Sequence, residues 1–242
     1  MGQKRITGKD DGLEARAPGG AANADAVAAF LDRARELRLS GQGAAGGRLI
    51  FALDATMSRQ PTWDLAAELQ AGMFDAAAAV GGLEVQLVYF RGRAETKASK
   101  WTREATRLAA MMRRIRCEGG LTQIGRVLGH AAAEARVQPV AALVLVGDSM
   151  EEDFAALAQR AGELRLLGVK AFCFHEGADP VVGEAFREIA RITGGAYAPF
   201  NTGAAAELRA LLGAAAAYAA GGLRALEARA DRVSRRLLGD LR

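Results

Sequence analysis

The chain has 242 residues, a formal net charge of +4, and a half share of hydrophobic residues. That is room for one domain with terminal additions, and it excludes a disordered chain and a collagen-like one. Two cysteines are too few for a disulfide-stapled mini-protein, and a charge of +4 over this length calls for no nucleic-acid partner.

Residues 1–22 are polar, charged and glycine-rich, and read as a mobile leader. They lack the apolar run of a secretory signal. From Ala22 to Leu39 the residues Val27, Phe30, Leu31, Ala34 and Leu37 recur at helical spacing. Residues 23–45 are therefore expected to be a helix and linker. Within them Gly41-x-Gly43-x-x-Gly46 matches a dinucleotide fingerprint in letters only, because it precedes a strand instead of following one.

An alternation of strands and helices follows. Leu49–Leu53 is a short apolar run of strand type, and Pro61 and Thr62 open a helix to about Ala79. Val85–Phe90 is a second strand, residues 93–101 a short polar edge strand, and Thr102–Arg116 and Leu121–Ala135 are helices. Val140–Val146 is the strongest strand in the chain. Glu151–Leu167 then reads as helix, Val169–Phe174 as strand, Val182–Ile192 as helix and Gly195–Ala198 as a last strand. Apolar strands alternating with amphipathic helices predict a doubly wound α/β domain over residues 46–200, with a mostly parallel sheet covered on both faces.

Residues 201–242 read as a C-terminal helical extension. After Gly221-Gly222, the residues Leu223, Leu226, Ala230, Val233 and Leu237 step by three and four. This stripe suits packing back on the domain, with self-association or a partner helix through residues 223–241 as the alternative. The Ala-rich stretch Gly213–Ala220 is too short and too weakly apolar to span a bilayer, so no membrane partner is expected. Cys117 and Cys173 stand far apart without a pattern, which suits a reducing compartment and a cytoplasmic protein.

The chemistry collects at the strand ends. Asp54 closes the first strand, with Thr56 and Ser58 behind it at two-residue spacing. Asp148 closes the strongest strand in the same way, and Thr122 follows the pair Gly119-Gly120 where a helix begins. In a doubly wound sheet, ligands bind outside the carboxyl ends of the strands. Five carboxylate and hydroxyl oxygens there suit a hard cation, Mg²⁺ or Mn²⁺ and less surely Ca²⁺. Arg59 and Trp63 flank this place and are expected to form a partner-binding rim, a charge beside an apolar anchor.

The sequence resembles a von Willebrand factor A (vWA) domain, whose metal-ion-dependent adhesion site has the pattern D-x-S/T-x-S, a distant Thr and a strand-end Asp. Asp54, Thr56 and Ser58 match the first part, Thr122 the second and Asp148 the third. The resemblance covers roughly residues 46–200 and implies a Rossmann-like sheet of order 3-2-1-4-5-6 with the site over strands one and four. It also implies a non-enzymatic adaptor that captures a partner's Asp or Glu through the metal. Intracellular A domains of this look often serve ATPases or stress-resistance complexes. The sequence departs at Gly147-Asp148-Ser149, where many members have Thr-Asp-Gly.

Two alternatives share these residues. A haloacid-dehalogenase-like Mg²⁺-dependent phosphatase would use Asp54 as nucleophile, with Thr122 and the acidic Asp148–Asp153 loop. Against it, Thr56 stands where an acid/base Asp is needed, and no Lys lies between Thr122 and Asp148. The other alternative keeps the vWA fold without metal, as a scaffold acting through its terminal helices.

Overall fold

Alternate residues of the first strand face two different cores. In β1 (Gly47–Asp54), Leu49, Phe51 and Leu53 enter one and Ile50 and Ala52 the other, as the period of two requires. The computed structural model describes residues 47–69, 71–78, 82–201 and 204–241, except for the side chain of Ser58. The expected leader, helix and linker of residues 1–45 lie outside the described residues.

Five further strands join β1: β2 (Leu83–Arg91), β3 (Glu95–Ala98), β4 (Ala142–Gly147), β5 (Lys170–Glu176) and β6 (Ala196–Phe200). The order is β3-β2-β1-β4-β5-β6. β3 pairs antiparallel with β2 and every other pairing is parallel. One face carries α1 (Gln60–Leu69), α2 (Ala71–Ala78), α3 (Ala105–Met112), α7 (Ala205–Ala228) and α8 (Arg232–Leu241). The other carries α4 (Ile124–Val137), α5 (Phe154–Leu166) and α6 (Pro180–Thr193). This is the doubly wound α/β architecture that the alternation predicted.

Two helices are shorter than their sequence pattern. Thr102 exchanges backbone hydrogen bonds with Val85 at 2.8 and 2.9 Å, which holds it to the sheet and delays α3 to Ala105. Thr122 and Gln123 are drawn into side-chain bonds, so α4 begins at Ile124. The starts of α5 and α6 follow from Asp153 and Asp179, whose carboxylates accept backbone N–H groups of the first turn.

The Ala-rich C-terminal segment belongs to the domain's core. Ala214–Ala217 of α7 are all buried. Small side chains let the helix come so close to β1 that a Cβ on Gly47 would lie 1.8 Å from the Ala219 carbonyl oxygen. α7 kinks at Gly222, whose φ of 65° and ψ of −156° suit glycine. Beyond it Leu226, Leu237 and Leu241 bury in the same core as Phe172 and Leu211. The apolar stripe thus packs largely on its own domain, and of its residues Leu223 and Ala230 remain exposed.

Candidate metal centre

The parallel strands bring their carboxyl ends to one edge. Chain direction there splits between β1, which leads to α1 on one face, and β4, which leads to α5 on the other. A crevice opens at such a switch point. Asp54 ends β1 and Asp148 directly follows β4, so both aspartates stand at it.

Asp54 is 2% exposed. Its Oδ1 accepts the Thr56 N–H at 2.7 Å, while Oδ2 is buried without a hydrogen-bond partner among the described residues. Burial raises its pKa to about 6. Bonds from the Thr56 backbone and hydroxyl offset part of that rise, Asp148 adds to it, and Arg59 opposes it. Ser58 lies in the short 3₁₀ turn Met57–Arg59, and its side chain is outside the described part of the structure.

Thr122 reaches the same edge on a tethered loop. The Glu118 N–H donates to the Ala55 carbonyl at 2.9 Å, just past β1, and the Leu121 N–H to the Gly92 carbonyl at 3.0 Å, just past β2. The Thr122 hydroxyl and N–H both donate to Glu151 Oε2, at 2.7 and 2.9 Å, and the Glu151 N–H returns to Thr122 Oγ1 at 3.2 Å. Glu152 accepts the N–H groups of Ile124 and Gly125 at the start of α4, where the helix dipole favours a carboxylate. Adjacent glutamates of the Asp148 loop therefore clamp the Thr122 loop.

The expected rim is placed differently. Arg59 is 3% exposed and Trp63 1%, so neither presents a surface. The Trp63 indole donates to the Met112 carbonyl at 3.1 Å and meets Tyr89 edge-on, within the core. The 3₁₀ turn directs Arg59 inward, where its guanidinium pairs with the buried Glu176 carboxylate at the end of β5. Glu176 also accepts the Thr62 hydroxyl, at 2.7 and 2.6 Å to its two oxygens. Arg59 Nη1 lies 3.9 Å from Asp148 Oδ2, and its Nε is buried without a partner among the described residues. Burial lowers the Arg59 pKa, while the Asp148 and Asp54 charges hold it up.

Sequence reasoning missed Glu176, the bonds from Glu151 to Thr122 and the exposed apolar side chains nearby. Glu176 is a strand-end acid like Asp54 and Asp148, and that position was its signal. Met57 in the 3₁₀ turn after β1, Leu121 just before Thr122 and Val181 in the first turn of α6 are 63%, 54% and 66% exposed. A groove of about 520 Å³ opens between α5 and α6, lined by Met150, Phe154, Pro180, Val181 and Ala185 together with Glu184 and Glu188. A cleft of about 640 Å³ between α4 and α5 has Arg126, Glu152 and Arg160 in its walls.

The donors fit a hard divalent cation. They are all oxygens, one of them an orphaned buried carboxylate oxygen. Asp54, Asp148 and Glu176 surround the single guanidinium of Arg59, which leaves a local deficit of two positive charges when all three acids are ionised. Among the described residues no group of three or more His, Cys, Asp or Glu stands at metal-binding distance. The candidate centre is thus one of two aspartates and hydroxyls. His130 is bonded to Gln86 and His175 to Tyr197, and burial lowers the pKa of both. Cys117 and Cys173 are free thiols buried in separate cores, the first pushed up to about 11 by burial. No helix among the described residues is long and apolar enough to cross a membrane.

No family model and no curated protein matches the sequence. Solved structures do match in fold. The VWA domain of SpRpn10 superposes with a TM-score of 0.52 at 12% identity, over 66% of this chain and 90% of that one. An aerotolerance-related membrane protein from Bacteroides fragilis gives 0.53 at 20% identity, over 71% and 98%. Human COPII-coat protein Sec24c gives 0.55 at 13% identity, over 70% of this chain and 32% of that one. The chain has the vWA fold, and at these identities the likeness is one of fold alone.

Proposed function

We propose that the carboxyl edge of the sheet is a divalent-metal-dependent docking site for a partner protein, and that the chain acts as an adaptor without catalysis of its own. The vWA fold supports a protein-interaction role in general terms. The observation that carries the metal is Asp54, a buried carboxylate with an unpartnered oxygen beside a second aspartate. Leaving such a group buried is costly unless a cation compensates it.

Asp54, Thr56, Ser58, Thr122 and Asp148 are the residues that would hold Mg²⁺ or Mn²⁺. When bound, the ion supplies the positive charge that lets a partner's Asp or Glu approach two aspartates. The rest falls to the chain. Glu151 and Glu152 hold the Thr122 loop in place. Met57, Leu121 and Val181 follow the carboxyl ends of the sheet in sequence and are exposed apolar side chains, a surface that would suit an acidic side chain flanked by apolar ones. The groove beside Met150 and Val181 adds a largely apolar surface with Glu184 and Glu188 in its wall.

The test is a displayed library of short peptides with a central Asp or Glu and apolar flanks, screened with Mg²⁺ and again with chelator. Peptides retained only with metal, and lost on Asp148→Ala, support this function. Retention indifferent to chelator supports the metal-free scaffold instead. Mg²⁺-dependent turnover of an aryl phosphate, abolished by Asp54→Asn, supports the phosphatase.

A further inference from the structure

Arg59 is a cation built into an acidic centre. It is 3% exposed. Glu176, itself held by the Thr62 hydroxyl, pairs with it, and Nη1 reaches to 3.9 Å from Asp148. Asp54 lies in the field of the same guanidinium. The two aspartates expected to hold a metal are thus the two that already face a fixed positive charge.

We propose that Arg59 competes with a divalent metal for the aspartate pair and sets the metal affinity of the site. This rests on the metal reading of Asp54 and Asp148. A guanidinium stays charged under all ordinary conditions. Its repulsion of a doubly charged ion is strong where water is largely excluded. Arg59 cannot leave, because Glu176 would then be buried and unpaired. The site therefore holds its metal weakly when alone. A partner carboxylate strengthens the hold by adding one negative charge, so metal and partner bind together better than either binds singly. Partner capture becomes a coincidence of two ligands.

The experiment is calorimetric titration of Mn²⁺ into chelator-stripped full-length protein. Wild type is compared with Arg59→Lys and with the double variant Arg59→Gln/Glu176→Gln. The double variant keeps the net charge, and it removes Glu176 as a new attractor for metal. Paired amides can replace the ion pair, and a thermal melt confirms folding. The expected result is at least tenfold tighter Mn²⁺ binding in the double variant, with Arg59→Lys close to wild type. Saturable binding in the double variant where wild type shows none supports the proposal equally. Unchanged or weaker affinity in a folded double variant overturns it while leaving the metal reading intact. No binding in any of the three proteins overturns both.

Discussion

Arg59 and Glu176 form a buried ion pair beneath the carboxyl edge of the sheet, linking the turn after β1 to the end of β5. Both side chains are at most 4% exposed. Removing one partner from such a pair leaves an uncompensated charge and costs about 3–5 kcal/mol. Arg59→Ala and Glu176→Ala should each lower stability by that order in urea unfolding. The double alanine variant should lose less than the sum of the two, because neither charge is stranded. Additive losses would mean that the two residues do not act as a pair.

Asp54 should be held at a cost to stability. Its folded pKa, about 6, lies above the unfolded value of 3.8. The native state therefore binds the proton more tightly, and the stabilisation present below about pH 4 is lost as pH rises through 6. At pH 7.5 the isosteric Asp54→Asn, which can keep the bond from the Thr56 N–H, should be more stable than metal-free wild type by up to about 3 kcal/mol. The difference should shrink toward zero as pH falls to 4. Melting temperatures across that range, with chelator present, check both sign and window.

The Thr122–Glu151 clamp should matter for position more than for folding. Thr122→Val removes a hydroxyl that donates at 2.7 Å to the carboxylate of the exposed Glu151, so the loss should be no more than about 1 kcal/mol. Glu152→Ala strips two backbone donors of α4 of their acceptor and should cost about 1 kcal/mol. Hydrogen exchange of the Ile124 and Gly125 amides should speed up in Glu152→Ala, and exchange in the β4 strand should not.

The exposed apolar side chains should be dispensable for folding. Met57 and Leu121 are more than half exposed, so Met57→Ser and Leu121→Ser should change stability by no more than about 0.5 kcal/mol. Each should weaken retention of the metal-dependent peptides. A surface change that left retention untouched would remove that residue from the docking surface.

Much of the fold was legible because each strand is a short apolar run and each helix repeats its apolar residues every three or four positions. The vWA resemblance added the sheet order. Asp54, Thr122 and Asp148 were legible as strand-end and loop residues, and the structure brings their three segments to one edge. What the sequence hid is local direction. Arg59 and Trp63 both follow Asp54, and nothing in their spacing says that a 3₁₀ turn points Met57 outward and Arg59 inward. The partner that holds Arg59 lies 117 residues away, beyond any local pattern. Helix starts shifted for the same reason: Thr102 and Thr122 make their bonds to distant segments, and those bonds override helical propensity.

The most direct measurement is calorimetric titration of Mg²⁺ and Mn²⁺ into chelator-stripped wild type, alongside Asp54→Ala and Asp148→Ala. Metal-dependent docking at the carboxyl edge requires one saturable site in the wild type, alone or with acidic peptide present, that is absent from both folded variants. No binding in a folded wild type with acidic peptide present, or binding that survives both substitutions, would place the protein's interactions elsewhere on the fold.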